Sequence, residues 1–263
     1  MKTDKNKRKI MLSKSKIKWI HSLELKKNRD EQNLFVAEGI KLVSDLLPHL
    51  QCRFLAVCHP DFDFNLYSGQ VSEAEQVTQD EYKKITFQKT PQGVLAVFEK
   101  PADTWNEAEI HNSLSLALDD VQDPGNLGTI IRLADWFGIR HVFCSLHSAD
   151  AYSPKTVQAT MGAIAGVNVH YVDLPLFLRQ MKGKIPVYGT FMDGTNIYEK
   201  TLENNAILVM GNEGNGISGA VEALVTEKLL IPRFSPDTTA SESLNVSTAT
   251  AITLSEFRRR IKP

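Results

Sequence analysis

Leu114-Ser-Leu-Ala-Leu-Asp-Asp-Val121, then Gln122 and Asp123-Pro-Gly-Asn-Leu-Gly-Thr-Ile-Ile-Arg132, reads as a buried strand, a tight turn and a helix. The apolar run has strand length, and Pro124, Gly125 and Gly128 punctuate it before a helical pattern begins. In that helix Leu127, Ile130, Ile131, Ala134 and Phe137 form one stripe. At about 100° per residue, Arg132 points roughly opposite the middle of the stripe.

The same alternation continues downstream. Strand candidates are His141–Ser145, Val167–Val172, Val187–Phe191, Ala206–Gly211 and Lys228–Pro232, with helical patterns between most of them. A last helix is expected from about Leu244 to Arg260. Near-continuous apolar strands alternating with helices predict a parallel sheet covered on both faces.

Upstream, the pattern is a smaller α/β unit. A helix is expected at Lys16–Lys27, strands at Leu34–Gly39, Cys52–Cys58 and Gly93–Lys100, and a polar, acid-rich helix at Ser72–Ile85. The acidic, aperiodic segment Pro101–Asn112 marks a boundary, giving domains 1–105 and 106–263. A length of 263 residues is comfortable for two domains.

Charge is unevenly spread. Residues 1–30 carry eleven Lys or Arg against three acids, so the other 233 residues sum to −9. A basic leader is either a phosphate-contacting arm or a solubilising one. No apolar segment follows it, so neither a secretory signal nor a membrane anchor is expected. Three cysteines without CxxC spacing fit a reducing cytoplasm. The seven histidines show no paired spacing, and no metal site is expected.

Three loops could carry chemistry, each with a plainer alternative. In the first, Asn126 is a ligand contact or a helix cap, and Arg132 a functional group or a solvated helix arginine. The second, Gly211-Asn-Glu-Gly-Asn-Gly216, follows an apolar strand and lets a backbone approach a ligand closely. Glu213 within it is a functional carboxylate or an acid facing a helix N-terminus. The third, Ser243-Leu-Asn-Val-Ser247, opens the last helix. Ser243 reads locally as its N-cap, while Asn245 has a use in hydrogen-bonding a ligand or a neighbouring loop. All three are expected beyond the carboxyl ends of strands, where open α/β sheets bind ligands.

Taken together, these segments resemble the three motifs of the SpoU (TrmH) family of SPOUT methyltransferases. Asn126-Leu-Gly128-Thr-Ile-Ile-Arg132 matches the first. Gly211, Glu213 and Gly216 match the second, and Ile231-Pro232 with Ser243–Ser247 the third. Phe35-Val-Ala-Glu38-Gly39 and the basic helix before it resemble the ribosomal-protein-like substrate-binding domain of rRNA-modifying members. Residues 233–242 depart from the short Met-x-Gly segment of many members, at the border of the expected cofactor and RNA sites.

The resemblance implies an N-terminal α/β RNA-binding domain followed by a parallel-sheet α/β domain with a C-terminal trefoil knot. It implies S-adenosylmethionine as methyl donor, held by the backbone of Met210, Gly211, Ile231 and Leu244 with Asn245 nearby. It implies methylation of a ribose 2′-hydroxyl in RNA, ribosomal rather than transfer RNA, by a homodimer paired through knot helices. Arg132 would act with Asn126, Glu213, Ser243 and Asn245. Asn126 and Asn245 would orient Arg132 and the ribose, and Glu213 would hold the arginine or complement the sulfonium. An arginine side chain keeps its proton and is a poor free base, so phosphate binding and alkoxide stabilisation are its expected roles. A non-catalytic RNA-binding protein on this scaffold would be marked by loss of Arg132 or Asn245, and both are present. A dinucleotide oxidoreductase lacks its glycine fingerprint here.

Overall fold

The computed structural model describes residues 12–67, 69–235 and 243–259. Residues 1–11 of the basic leader, residues 236–242 of the departing segment and Arg260 at the expected helix end lie outside the described residues. The chain forms two compact units, Met1–Pro101 with Tyr152–Gln158, and Ala102–Ala151 with Ala159–Pro263.

The first unit contains α1 (Lys14–Ser22), α2 (Lys26–Gln32), β1 (Leu34–Glu38), α3 (Ile40–Leu46), β2 (Cys52–Val57), β3 (Ala74–Gln76), α4 (Gln79–Tyr82) and β4 (Val94–Glu99). Its sheet runs β1-β4-β2-β3, with β4 antiparallel to β1 and β2. The leader divides at Leu23–Leu25 where one helix was expected. Ile20 and Leu23 are buried in the core with Phe54, Tyr82 and Val97. The Arg29 guanidinium, 2% exposed, ties the corner by donating to the Leu23 and Glu24 carbonyls at 2.6 Å each. Lys16 is also taken up internally, 2.6 Å from Glu73 and 2.7 Å from Glu75. Lys14, Lys18, Lys26 and Lys27 are the leader's exposed cations among the described residues.

The helix expected at Ser72–Ile85 is instead a short strand and a single turn. Ala74–Gln76 pairs in parallel with β2, and the Thr78 hydroxyl and Glu81 carboxylate form a reciprocal capping box that starts α4 at Gln79. That box is a helix-start signal, and it outweighs the acid-rich composition upstream.

The second unit contains α5 (Glu107–His111), β5 (Leu114–Leu118), α6 (Pro124–Trp136), β6 (His141–Ser145), β7 (Asn168–Val172), α8 (Leu174–Met181), β8 (Val187–Asn196), β9 (Ala206–Met210), α9 (Gly219–Glu222), β10 (Glu227–Leu230) and α10 (Val246–Arg259). (The intervening α7, Pro154–Thr160, lies mostly in the first unit.) The six strands are ordered β10-β8-β9-β5-β6-β7, and every neighbouring pair is parallel. β5, β6 and β9 are buried along their whole length, as a sheet covered on both faces requires. Phe143 of β6 stacks on Phe177 of α8, with centroids 4.1 Å apart, inside a core that includes Ala117 and Val209. β8 outruns its expected end at Phe191, because it pairs with β10 again after a break in register, Leu229 opposite Thr195. Gly194 permits that return, since a Cβ there would lie 2.5 Å from the Leu229 carbonyl carbon.

In the first unit Glu38 explains the Phe35–Gly39 motif. Its carboxylate, 4% exposed, accepts from Phe87 N–H at 2.7 Å, Thr86 Oγ1 at 2.5 Å and Tyr82 Oη at 3.3 Å. Burial pushes the Glu38 carboxyl above its usual range, against the pull of those donors. Its contribution to stability is therefore present below the ordinary carboxylate pKa and is lost as pH rises through the folded-state value. Glu38→Ala is expected to lower the unfolding free energy in urea by about 1–3 kcal/mol for each buried donor it orphans. Glu38→Gln should be much milder and should flatten the decline of stability with pH. Equal losses for the two variants would contradict this account.

Candidate active site

The carboxyl ends of β5 and β9 are adjacent, Leu118 opposite Met210, and the first two motif loops leave from there. After β5 the Asp119 N–H continues the ladder to the Met210 carbonyl at 2.9 Å. Asp120 takes a left-handed backbone, φ 57°, and is held by Ser145, whose Oγ accepts from Asp120 N–H and donates to its carboxylate. α6 then opens with Pro124 in its first turn. Its cap is Asp123, which accepts from Asn126 N–H at 2.9 Å. With the cap supplied by Asp123, the Asn126 side chain is available for other contacts, and the helix-cap alternative for Asn126 falls away.

The second loop is drawn tight. Asn212 and Gly216 exchange both main-chain hydrogen bonds, 2.9 and 3.0 Å, with Gly216 at φ +68°. Gly211 is obligatory, because a Cβ there would lie 2.2 Å from the Gly216 carbonyl carbon. Glu213 projects from this noose and accepts from Asn126 Nδ2 at 2.7 Å. Asn126 Oδ1 in turn accepts from Asn245 Nδ2 at 3.0 Å. Asn245 is also the cap of α10, its Oδ1 accepting from Ser247 N–H at 3.0 Å and Thr248 N–H at 3.3 Å. That role was expected of Ser243, which lies two residues earlier and is exposed. A Glu213–Asn126–Asn245 chain thus joins all three motif loops.

Arg132 stands apart from it. Six residues along a helix is about 9 Å of rise, so Asn126 and not Arg132 meets Glu213, and neither asparagine orients the arginine. Among the described residues Arg132 makes no hydrogen bond or ion pair, and it is exposed. It lines an open groove of about 730 Å³ with Thr129, Trp136, Tyr198, Ile252 and Ser255. Trp136 is 84% exposed there. Sequence reasoning passed over Asn212, Asp120 and Asp123, although Asp before Pro is a helix-start signal and Asn and Asp are the side chains that tolerate αL and build turns.

The residues that the resemblance assigns to the donor differ in exposure and pairing. Gly211 is buried, yet no main-chain hydrogen bond engages Gly211, Ile231 or Leu244 among the described residues. Buried main-chain donors and acceptors almost always find partners; of the three only Gly211 is buried, while Ile231 is half-buried and Leu244 exposed. Met210 is 1% exposed, and its carbonyl is the one that accepts from the Asp119 N–H. No cluster of three or more His, Cys, Asp or Glu among the described residues is placed to hold a metal ion.

Comparison with known proteins identifies the family. The model of the SpoU rRNA Methylase family matches residues 113–255. The chain belongs to that family. The MRM3-like substrate binding domain matches residues 14–96 of this SpoU protein. A 23S rRNA (guanosine(2553)-2′-O)-methyltransferase of Bacillus subtilis is 31% identical over 92% of this chain and 96% of its own. A TrmH-family protein of known structure from Porphyromonas gingivalis shares 44% identity, with a TM-score of 0.80 over 95% of this chain and 99% of its own. An AdoMet-bound rRNA methyltransferase from Sinorhizobium meliloti shares 29% identity, with a TM-score of 0.82 over 96% and 98%.

Asn126→Asp probes the SpoU site directly, since it sets a second carboxyl against Glu213. Two such groups share a proton, and one pKa of the pair rises. Transfer should be lost near pH 7.5 and partly regained as pH falls, because a protonated carboxyl donates again. A pH–rate profile parallel to that of the unaltered enzyme would show that the Asn126–Glu213 bond is irrelevant to turnover.

Proposed function

We propose that this chain transfers a methyl group from S-adenosylmethionine to a ribose 2′-hydroxyl of structured RNA, of the 23S type. The observation that carries the reading is the joining of three motif loops through Glu213, Asn126 and Asn245, close in sequence to the buried Gly211, whose main chain has no hydrogen-bond partner among the described residues. The relatives that act on 23S rRNA supply the RNA class. The chemistry that S-adenosylmethionine supplies when bound is a methyl made electrophilic by a positively charged sulfur. What this chain supplies is positioning, which carries most of the rate when the reactants need only near-attack geometry. The main chains of Met210, Gly211, Ile231 and Leu244 hold the donor, with Asn245 beside them. Asn126 and Asn245 present amides to the ribose, Glu213 fixes the Asn126 amide, and Ser243 belongs to the turn before α10. Arg132, unpaired and exposed, binds the phosphate next to the target ribose and stabilises the developing alkoxide.

Residues 1–105 serve as the RNA-recognition part and 106–263 as the transfer part, closed by a trefoil knot. The exposed cations Lys14, Lys18, Lys26 and Lys27 are the leader's phosphate contacts. The groove on α6 and α10 receives a second copy, with the transfer site near the subunit boundary; the exposed Trp136 beside Arg132 supports this reading.

Two measurements test this reading. Arg132→Ala should abolish methylation of total RNA from a strain lacking the gene, with donor binding by calorimetry intact and stability changed by less than about 0.5 kcal/mol, as for other surface substitutions. Arg132→Lys should rescue little, because lysine keeps the charge and loses the planar fork; near-normal turnover of Arg132→Ala would sink the assignment. Trp136→Glu should convert a dimer to a monomer in light scattering, and an unchanged mass would remove the groove from the dimer.

A further inference from the structure

Asn212 lies between Gly211 and Glu213 of the second motif, and the two ends of its side-chain amide have separate partners. Its Oδ1 accepts from Gly214 N–H at 2.8 Å and Asn215 N–H at 3.1 Å, which shapes the tip of the loop. Its Nδ2 donates to the Asp120 carbonyl at 2.7 Å, which reaches across to the other loop. That carbonyl is available because Asp120 is left-handed, and Ser145 holds the Asp120 backbone and side chain in that state. Ser145 is itself in hydrogen-bond contact with Ser148 Oγ at 3.1 Å, and Ser148 Oγ donates to the Leu118 carbonyl at 3.3 Å. A second tie runs beside the first, since Asp119 Oδ2 accepts from Ser218 N–H at 2.7 Å just past the noose.

Among the described residues these contacts leave the tip of the loop one lateral restraint from its own side chains toward β5 besides Glu213 itself. The noose closes on its own backbone, so its internal shape does not depend on Asp120. Where its tip stands relative to Asn126 does.

We propose that Asn212 is a positioning residue for methyl transfer: its amide moors the Glu213 loop to the Asp120 carbonyl, and so delivers Glu213 to Asn126. This rests on the reading of Glu213 and Asn126 as part of the transfer site. Asn212 touches neither donor nor ribose. It acts by fixing the loop that orients the Asn126 amide.

Asn212→Asp separates the two functions of the side chain. Aspartate keeps the acceptor for Gly214 and Asn215, so the turn survives, but it sets an oxygen against the Asp120 carbonyl where a donor stood. Asn212→Ser is the second variant. It keeps a shorter acceptor, cannot reach Asp120 and adds no charge.

Each variant is assayed with total RNA from a strain lacking the gene and a radiolabelled methyl donor. In parallel, ¹⁵N-asparagine labelling follows the Asn126 side-chain amide in the full chain without donor. The expected result is a kcat lowered about 100-fold, the scale of a misplacement of about 1 Å, with KM for donor and RNA within about threefold. The Asn126 amide resonance should move to its position in Glu213→Ala. Asn212→Asp combined with Glu213→Ala should be no slower than Glu213→Ala alone, because both changes break one device.

The proposal is overturned if Asn212→Asp and Asn212→Ser keep kcat and the Asn126 resonance while Glu213→Ala is impaired. It is equally overturned if the losses with Glu213→Ala multiply, which is the mark of a merely structural role. A Glu213→Ala enzyme of normal kcat removes the reading of the site itself, and with it the catalytic consequence of the mooring.

Discussion

The parallel pairing of β5 with β9 is the constraint on which the site depends. It sets Leu118 beside Met210, so two loops far apart in sequence start one strand spacing apart. From β5 the chain moves on to β6 and β7 on one side. From β9 it crosses through α9 to β10 on the other. Loops that leave neighbouring strands in opposite directions open a crevice between them, and in open parallel sheets that crevice is where ligands bind. Asn126 and Glu213 meet across it. α10 brings Asn245 to the same point from the end of the described chain.

Capping then decides which side chains remain for chemistry. A helix start leaves main-chain donors without partners, and a nearby oxygen normally takes them. At α6 Asp123 does so, and Asn126 at the third helical position keeps both ends of its amide. At α10 Asn245 caps with its oxygen and reaches Asn126 with its nitrogen, so one residue fixes the helix and joins the loops. Had Asn126 been the cap of α6, its oxygen would have turned to the helix N–H groups in place of Asn245 Nδ2.

The sheet was legible because its central strands are mostly apolar, as in Leu114–Leu118 and Ala206–Met210, and are punctuated by Pro and Gly. Boundaries were less so. β8 runs on past Phe191 only because Gly194 lets it return to Leu229, a tertiary fact with no local signal. β3 hid within an acid-rich stretch because three residues at a sheet edge leave no clear period, although the Thr78–Glu81 box was there to read. Lys16 and Arg29 looked like free charge in the leader. Their carboxylate and carbonyl partners are set by the fold, in the case of Lys16 by residues nearly sixty positions away.

The site was legible as three motifs but not as a set of contacts. Arg132 and Asn126 share one motif, and proximity in sequence invites the idea that they share partners. Helical geometry separates them, since six residues turn the side chain well away from the first position as well as advancing it along the axis. The motif is therefore better understood as two stations on one rigid helix. Asn126 serves the crevice between β5 and β9, and Arg132 faces the groove with Trp136. A rigid helix fixes the distance between the two stations without any bond between them. That is why the arginine can stay unpaired among the described residues while the asparagine is held at both ends.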